Sequence, residues 1–287
     1  MNDFMTTKTY QQPWILVRGG GDIATGTIVR LHHCGFRVIV AECASPSAIR
    51  RKASLCEAVY QQTAAVENVV CRRIGDPLDA SRVWAQGEIP LLVDEHLSCL
   101  SVLKPAALID AILAKKNLGT FRNMAPITIG LGPGFIAGAD VDAVVETKRG
   151  HHLGRVILEG PAIANTGIPG IIGGYGAERV IHAPDSGPMQ IAYDKKAAEI
   201  GIGSIVKKGQ TIALVGDTPV IATLDGVLRG LIRPGYPVTK GLKIADIDPR
   251  LEQVSCCDTI SDKARAVGGG SLEALLYLAR KKGICLL

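Results

Sequence analysis

The chain has 287 residues, room for one large domain or two ordinary ones, and 47% of them are hydrophobic, which excludes a disordered protein. Aromatic residues make up only 4% against 33 glycines, a balance that suits an α/β chain with many tight turns and disfavours a stacking surface for single-stranded nucleic acid. The net charge of +5 is spread over separate pairs (Arg72-Arg73, Lys115-Lys116, Lys195-Lys196, Lys207-Lys208), so no nucleic-acid partner is expected, and no apolar run of about 18 residues predicts a membrane span.

The N-terminal stretch through Pro13 is polar and lacks the apolar core of a signal peptide, which leads us to expect a cytoplasmic protein. Trp14 to Val17 then form an apolar run that meets Gly19, Gly20 and Gly21, followed by a segment with the pattern of a helix over 22–33. The spacing Gly19-x-Gly21-x-x-Ala24 is that of the dinucleotide fingerprint. A strand, tight turn and helix leave first-turn amides unpaired at the positive end of the helix dipole, a seat for phosphate. Gly19, Gly20, Gly21, Asp22, Ile23, Ala24 and Thr25 are therefore candidate cofactor-binding residues. A second apolar run, Phe36 to Ala41, ends in Glu42, placed 23 positions after Gly19 and suited to a ribose hydroxyl. Arg50, close behind it, is a candidate ligand contact, and a solvated helix start is the plainer alternative.

Downstream, the pattern predicts a helix over about 47–60 and strands near 65–72, 89–93, 106–109, 127–129 and 143–147. Alternation of this kind implies a parallel sheet with helices on its faces. The 127–129 strand runs into GLGPGF, whose Gly130, Gly132 and Gly134 free the backbone to approach a ligand, or simply make a turn. In KRGHHLGR, Arg149 or His151 is a candidate ligand contact, and adjacent histidines in a strand make a poor metal pair. Asn165 and Thr166 offer hydrogen-bonding groups on a further turn.

Residues 206–213 (VKKGQTIA) and 238–245 (VTKGLKIA) repeat at a constant offset of 32. One copy cannot bury its apolar face, so the two should clasp each other as a small all-β unit. The pattern resembles the barrel-sandwich hybrid of lipoyl and biotinyl carrier domains. The hairpin between the halves, Gly216-Asp217-Thr218-Pro219, has no lysine, so no lipoyl or biotinyl group is expected. After Asp248-Pro249-Arg250 the chain turns helical, with Ser261 as the N-cap; Gly268-Gly269-Gly270 reads as a break or a place of close packing.

The eight cysteines are dispersed without C-x-x-C or zinc spacing, so reduced thiols and no metal site are expected. Cys256-Cys257 is a vicinal pair suited to a sulfur or selenium relay, or else two thiols at a domain boundary. No nucleophile elbow, zinc-protease helix or P-loop lysine motif occurs, so reactivity would come from an organic cofactor. For turnover, the proton-donor candidates are Lys115, Glu146 and His151.

GGGDIATG, PSAIRR with CEAVY, DAILAKKN, GLGPGF with DVDAVVETKRGHHLGRVI, and KIADIDPR with ISDKARAVGGGSLEA together resemble the YqeB family over nearly the whole chain. That resemblance implies an accessory protein of a selenium-dependent molybdenum hydroxylase system, distantly similar to the XdhC/CoxI maturation factors, with a Rossmann-like domain. It implies a molybdenum hydroxylase subunit as partner, and either NAD(P) or a molybdopterin-type cofactor as ligand. A homo-oligomer is compatible with it. An NAD(P)-dependent oxidoreductase and a non-catalytic interaction protein with structural glycine loops are the alternatives; a maturation factor is favoured over a turnover enzyme. The expected layout is a Rossmann-like domain over 1–180, a barrel-sandwich-hybrid β domain over 181–250, and a helical segment, 251–287, packing back on the α/β domain.

Overall fold

The computed structural model describes residues 12–167 and 170–286. The polar N-terminal stretch lies outside the described residues except for Gln12 and Pro13. The chain is α/β and divides into two compact units: Met1–Pro46, Leu55–Asn165 and Ser261–Leu287 form the first, Ser47–Ser54 and Thr166–Ile260 the second. Where the sequence suggests divisions at 180 and 250, the units part at 165/166 and 260/261, and a short early excursion joins the second unit.

The first unit contains β1 (Trp14–Arg18), α1 (Asp22–His33), β2 (Arg37–Glu42), α2 (Ala58–Gln61), β3 (Thr63–Val66), β4 (Val69–Ile74), α3 (Ala80–Ala85), β5 (Ile89–Val93), β6 (Ala107–Asp110), β7 (Ile127–Leu131), β8 (Ile136–Ala137), β9 (Ala143–Val145), β10 (Val156–Ile157), β11 (Gly160–Pro161) and α4 (Asp262–Lys282). Nine of the strands form one sheet in the order β10-β9-β7-β6-β1-β2-β5-β4-β3, with antiparallel pairs only at its two edges. Its central strands are continuous apolar runs because both faces are covered. Trp14 and Leu16 share one core with Ile39, Leu108 and the α3 residues Ala80 and Val83; by the two-residue period of a strand, Ile15 and Val17 face the other side. The strand order reverses between β1 and β6, the topological switch point of such a sheet.

Helix α4 runs unbroken through Gly268, Gly269 and Gly270, so the break is corrected in favour of close packing. A Cβ on Gly268 would meet the carbonyl oxygen of Gly26 in α1 at 2.5 Å; one on Gly26 would collide with Ala264, and one on Gly270 with Gly154. Thr27 and Ser271 hydroxyls meet at 3.2 Å at the same crossing. Glycine costs a helix interior about 1 kcal/mol relative to alanine, and here it permits the two backbones to touch. The N-cap is as expected, with Ser261 Oγ accepting from the Ala264 amide at 3.1 Å.

Two other elements differ from the sequence pattern. The helix expected over 47–60 is replaced by 3₁₀ turns at Arg51–Ala53 and Leu55–Glu57 followed by the short α2. Its first part is spent elsewhere: the Ile49 carbonyl accepts from the Leu231 amide at 2.8 Å, and Arg51 Nε donates to the Leu231 carbonyl. The strand near 65–72 is a hairpin, β3 and β4, turning at Glu67 with φ 54°.

The second unit holds β12 (Val180–His182), β13 (Gly187–Ile191), β14 (Ile205–Val206), β15 (Thr211–Val215), β16 (Thr218–Ile221), β17 (Gly226–Leu231), β18 (Pro237–Val238) and β19 (Lys243–Asp248). They make two antiparallel sheets, β12-β19-β17-β14 and β16-β15-β13-β18, around one apolar core. The repeat is visible as an interlock: β14 of the first copy pairs with β17, while its counterpart β18 pairs with β13. The turn glycines match, Gly209 donating to Ala222 and Gly241 to Ala183, each at 2.9 Å. The β15–β16 hairpin carries Gly216 and Asp217.

Candidate functional site at the carboxyl edge of the sheet

The seven parallel strands of the large sheet point their carboxyl ends at one edge, where both glycine loops emerge. The β1 loop is pinned by its own surroundings. Gly19 donates to the Ala41 carbonyl at 2.7 Å, and the Gly20 amide donates to Glu42 Oε2 at 2.8 Å. The other Glu42 oxygen accepts from the Cys43 amide at 2.8 Å. Cys56 N donates to the Gly20 carbonyl, laying the 55–57 turn over the loop, and Thr25 Oγ1 bonds both Gly21 O and Leu55 N. What stays accessible is Gly21, where a Cβ would meet nothing within 4 Å. The Ile23 and Ala24 amides have no protein acceptor among the described residues.

This half of the edge is acidic. Burial first, then the charge of Glu42, pushes the Cys43 thiol up to about 11. Burial likewise pushes Cys56 well up, with Glu42, Glu57 and Asp22 adding. Asp94, at the end of β5, sits below the usual carboxylate range: burial raises it, but hydrogen bonds from Cys99 and Ser98 outweigh that. An anion on the first-turn amides would face these carboxylates. At an effective dielectric near 20, a like charge about 5 Å away costs about 3 kcal/mol, more than the roughly 0.3–1 kcal/mol a surface helix dipole returns. The expected pairing of a pyrophosphate with Gly20 and of Glu42 with a ribose is thus corrected in one respect: Glu42 itself takes the Gly20 amide.

Across the switch point the chemistry changes. Arg18, at the end of β1, reaches Asp110 Oδ2 (3.3 Å), Thr120 Oγ1 (3.0 Å) and the Leu118 and Glu95 carbonyls. Thr120 Oγ1 also donates to Asp110 at 2.6 Å, and Asn117 Oδ1 accepts from Gly119 and Thr120. This network closes the loop after β6, in which Leu113 (φ 61°) and Lys115 (φ 63°) hold left-handed backbone that costs about 1–2 kcal/mol per non-glycine residue. Lys115 and Lys116 are exposed. The Gly134 loop lies against them: a Cβ on Gly134, whose φ is 111°, would meet Lys116 Cα at 2.6 Å. A Cβ on Gly132 would meet Thr147 Oγ1, and one on Gly130 the Phe135 ring, both at 2.5 Å.

The remaining sequence candidates disperse. Glu146 is buried, one oxygen accepting from Lys148 N (2.7 Å) and the other from Ile163 N (2.8 Å), so it braces two loops and is removed from the proton-donor candidates. Arg149 pairs with Asp262. His151 and His152 lie in an exposed turn with their rings edge-on, centroids 5.0 Å apart, in place of the opposed strand positions expected. Arg50 donates to the Cys256 and Thr259 carbonyls within the second unit, which spends it on chain packing. Cys256 is half-buried; Cys257 is buried, its thiol raised by burial against the lowering influence of Arg229, Arg50 and Lys52. Asn165 and Thr166 are exposed where the first unit ends and the second begins. Sequence reasoning missed Lys116, Lys148 and the Arg18–Asp110–Thr120 brace; Asn117-x-Gly119, an Asx-turn signature, was the available signal.

Among the described residues no group of three metal-ligating side chains comes together, and no helix is long and apolar enough to cross a membrane. No family model matches the chain. The uncharacterized protein YqeB of Escherichia coli K12 is 47% identical over 264 residues, covering 92% of this chain and 47% of that protein. The chain thus spans about half the length of the curated relative it matches. Among solved structures, the product-bound ectoine utilization protein EutE (DoeB) from Ruegeria pomeroyi covers 82% of this chain and 85% of its own at 14% identity, with a TM-score of 0.24, a likeness too slight to carry an argument.

Proposed function

The chain belongs to the YqeB family, and from that premise we propose that it binds a phosphate-bearing nucleotide or pterin cofactor and serves as an accessory factor in maturing a molybdenum hydroxylase. The ligand classes are NAD(P) and a molybdopterin-type cofactor; the protein partner is a hydroxylase subunit. One observation carries the reading. The strand order reverses between β1 and β6, and beside that crevice Gly21 faces open space with the Ile23 and Ala24 amides unclaimed. The residues present fit the uncharged, hydrogen-bond-donating end of such a cofactor, because the Glu42 oxygens keep lone pairs for a hydroxyl or amino group after binding Gly20 and Cys43. In this reading the chain orients a cofactor and performs no chemistry on it. The second unit, read as a barrel-sandwich hybrid without a lipoyl or biotinyl group, is a rigid docking surface. The setting is the cytoplasm.

The test is calorimetric titration with NAD(H), NADP(H), cytidine nucleotides and molybdenum cofactor. Binding of one of them is expected. Gly21→Asp should abolish it, since the position has ordinary backbone (φ −65°) and free space, so the variant folds while its side chain blocks the crevice. Wild-type protein that ignores every ligand removes the proposal.

A second reading is favoured by the GLGPGF loop, where all three glycines admit neighbouring atoms and are needed for packing alone. On that reading the chain is a non-catalytic interaction protein, which would capture a hydroxylase subunit with no small molecule present.

A further inference from the structure

The β6–β7–β9 half of the edge carries cations with no ion-pair partner among the described residues. Lys115, Lys116, Lys148 and Arg155 are exposed, and none has a side-chain hydrogen bond or ion pair among the described residues. The nearby acids are occupied or withdrawn: Asp110 by Arg18 and Thr120, Asp262 by Arg149, Glu146 by two backbone amides. Glu159, on the chain just past β10, is the exposed carboxylate closest in sequence to Arg155. The Gly134 amide, beside Lys116, donates to no protein acceptor among the described residues.

Geometry distinguishes this from a scatter of surface lysines. Two residues in left-handed backbone, Leu113 and Lys115, sit in one loop that a buried guanidinium, a buried carboxylate and an Asx turn hold shut. Strained backbone persists where surrounding contacts over-determine it. The effect is to fix the backbone of Lys116, with Lys115 beside it, against the exposed Gly134, whose amide is left unclaimed among the described residues. Exposed lysine ammonium groups on a loop beside an unclaimed backbone amide are the elements of a phosphate seat.

We infer that the phosphate of a small phosphorylated ligand binds here, on Lys115, Lys116 and the Gly134 amide, with Lys148 as an outer cation. The inference rests on the cofactor reading above and relocates its charged end from the β1 loop to the β7 loop. The β1 side, with Glu42 on Gly20, is left to the uncharged end.

The probe is sodium pyrophosphate, titrated calorimetrically into the full chain at low ionic strength. Wild-type binding is expected, and the double variant Lys115→Gln, Lys116→Gln should weaken it at least about tenfold, the loss of two charge-assisted contacts discounted for exposure. Lys104→Gln, on an exposed lysine ahead of β6 at the opposite edge, removes charge without touching the site and should leave affinity within about twofold. Thermal denaturation confirms that each variant is folded. No binding by wild type, or equal losses in the double variant and Lys104→Gln, overturns the site. Cofactor binding that survives the double variant and is lost in Gly21→Asp also overturns it while the cofactor reading stands. Lysine-dependent pyrophosphate binding with no affinity for any of the cofactors supports the site and removes that reading.

Discussion

On one side of the strand-order reversal, β1, β2 and β5 end in a glycine turn crossed by Glu42 and flanked by Asp22, Glu57, Asp94 and two thiols raised by burial. On the other, β6, β7 and β9 end in a second glycine turn rimmed by Lys115, Lys116 and Lys148. Both halves have glycines after parallel strands, so the backbone pattern is nearly the same. They differ in which charges the neighbouring strands bring to the edge. A glycine loop supplies access; the charge around it decides what has access. The G-x-G-x-x-A turn, taken alone, points to the half with the less favourable field for an anion.

That contrast can be broken at its seam. Asp110→Ala leaves Arg18 without its buried carboxylate and should cost about 3–5 kcal/mol in urea denaturation. It should also loosen the loop holding Lys115 and Lys116; unchanged stability would mean the seam is not braced as described. Next comes the acidic half. Glu42→Ala strands the Gly20 and Cys43 amides and should cost about 2 kcal/mol, measured the same way. A neutral result would mean that water satisfies those amides and the β1 loop is open to ligands after all.

A smaller effect, about 1 kcal/mol at neutral pH, is expected for Asp94→Ala, which removes the acceptor for Ser98 and Cys99 amides. Its sign with pH follows from the lowered carboxyl. The stabilisation is complete above the unfolded value near 4 and is lost as pH falls through the lower native value. The gap between wild type and variant in melting temperature should therefore close below about pH 4. The smallest effect is chemical. Iodoacetamide at pH 8 should label the exposed Cys34 and Cys285 before the half-buried Cys43, read by peptide mass mapping. Glu42→Gln should speed Cys43 a few-fold by removing the adjacent charge; no change would detach Cys43 from the acidic cluster.

Much of the first unit was readable from local pattern. Trp14–Val17, Ile89–Val93 and Ile127–Ile129 are apolar runs long enough for doubly covered strands, and each is one. The segment over 47–60 failed because its helical pattern is local, while the groups that claim it, the Leu231 amide and carbonyl, lie far along the chain. The triple glycine could be read as a break or as close packing because its benefit exists only against Gly26 and Gly154.

The amino-acid order by itself determined the alternation of strands and helices, the glycine turns that end β1 and β7, and the 32-residue repeat, since each follows from neighbours in the chain. Only the tertiary structure decided that Glu42 reaches back to Gly20 and that Arg18 ties Asp110 to Thr120. It alone decided, too, that Lys116 stands over Gly134. These contacts join the ends of β1 and β2, the end of β1 to the loop after β6, and the loops after β6 and β7; the order in which strands lie side by side is set by packing across the whole sheet, which no short window of residues contains.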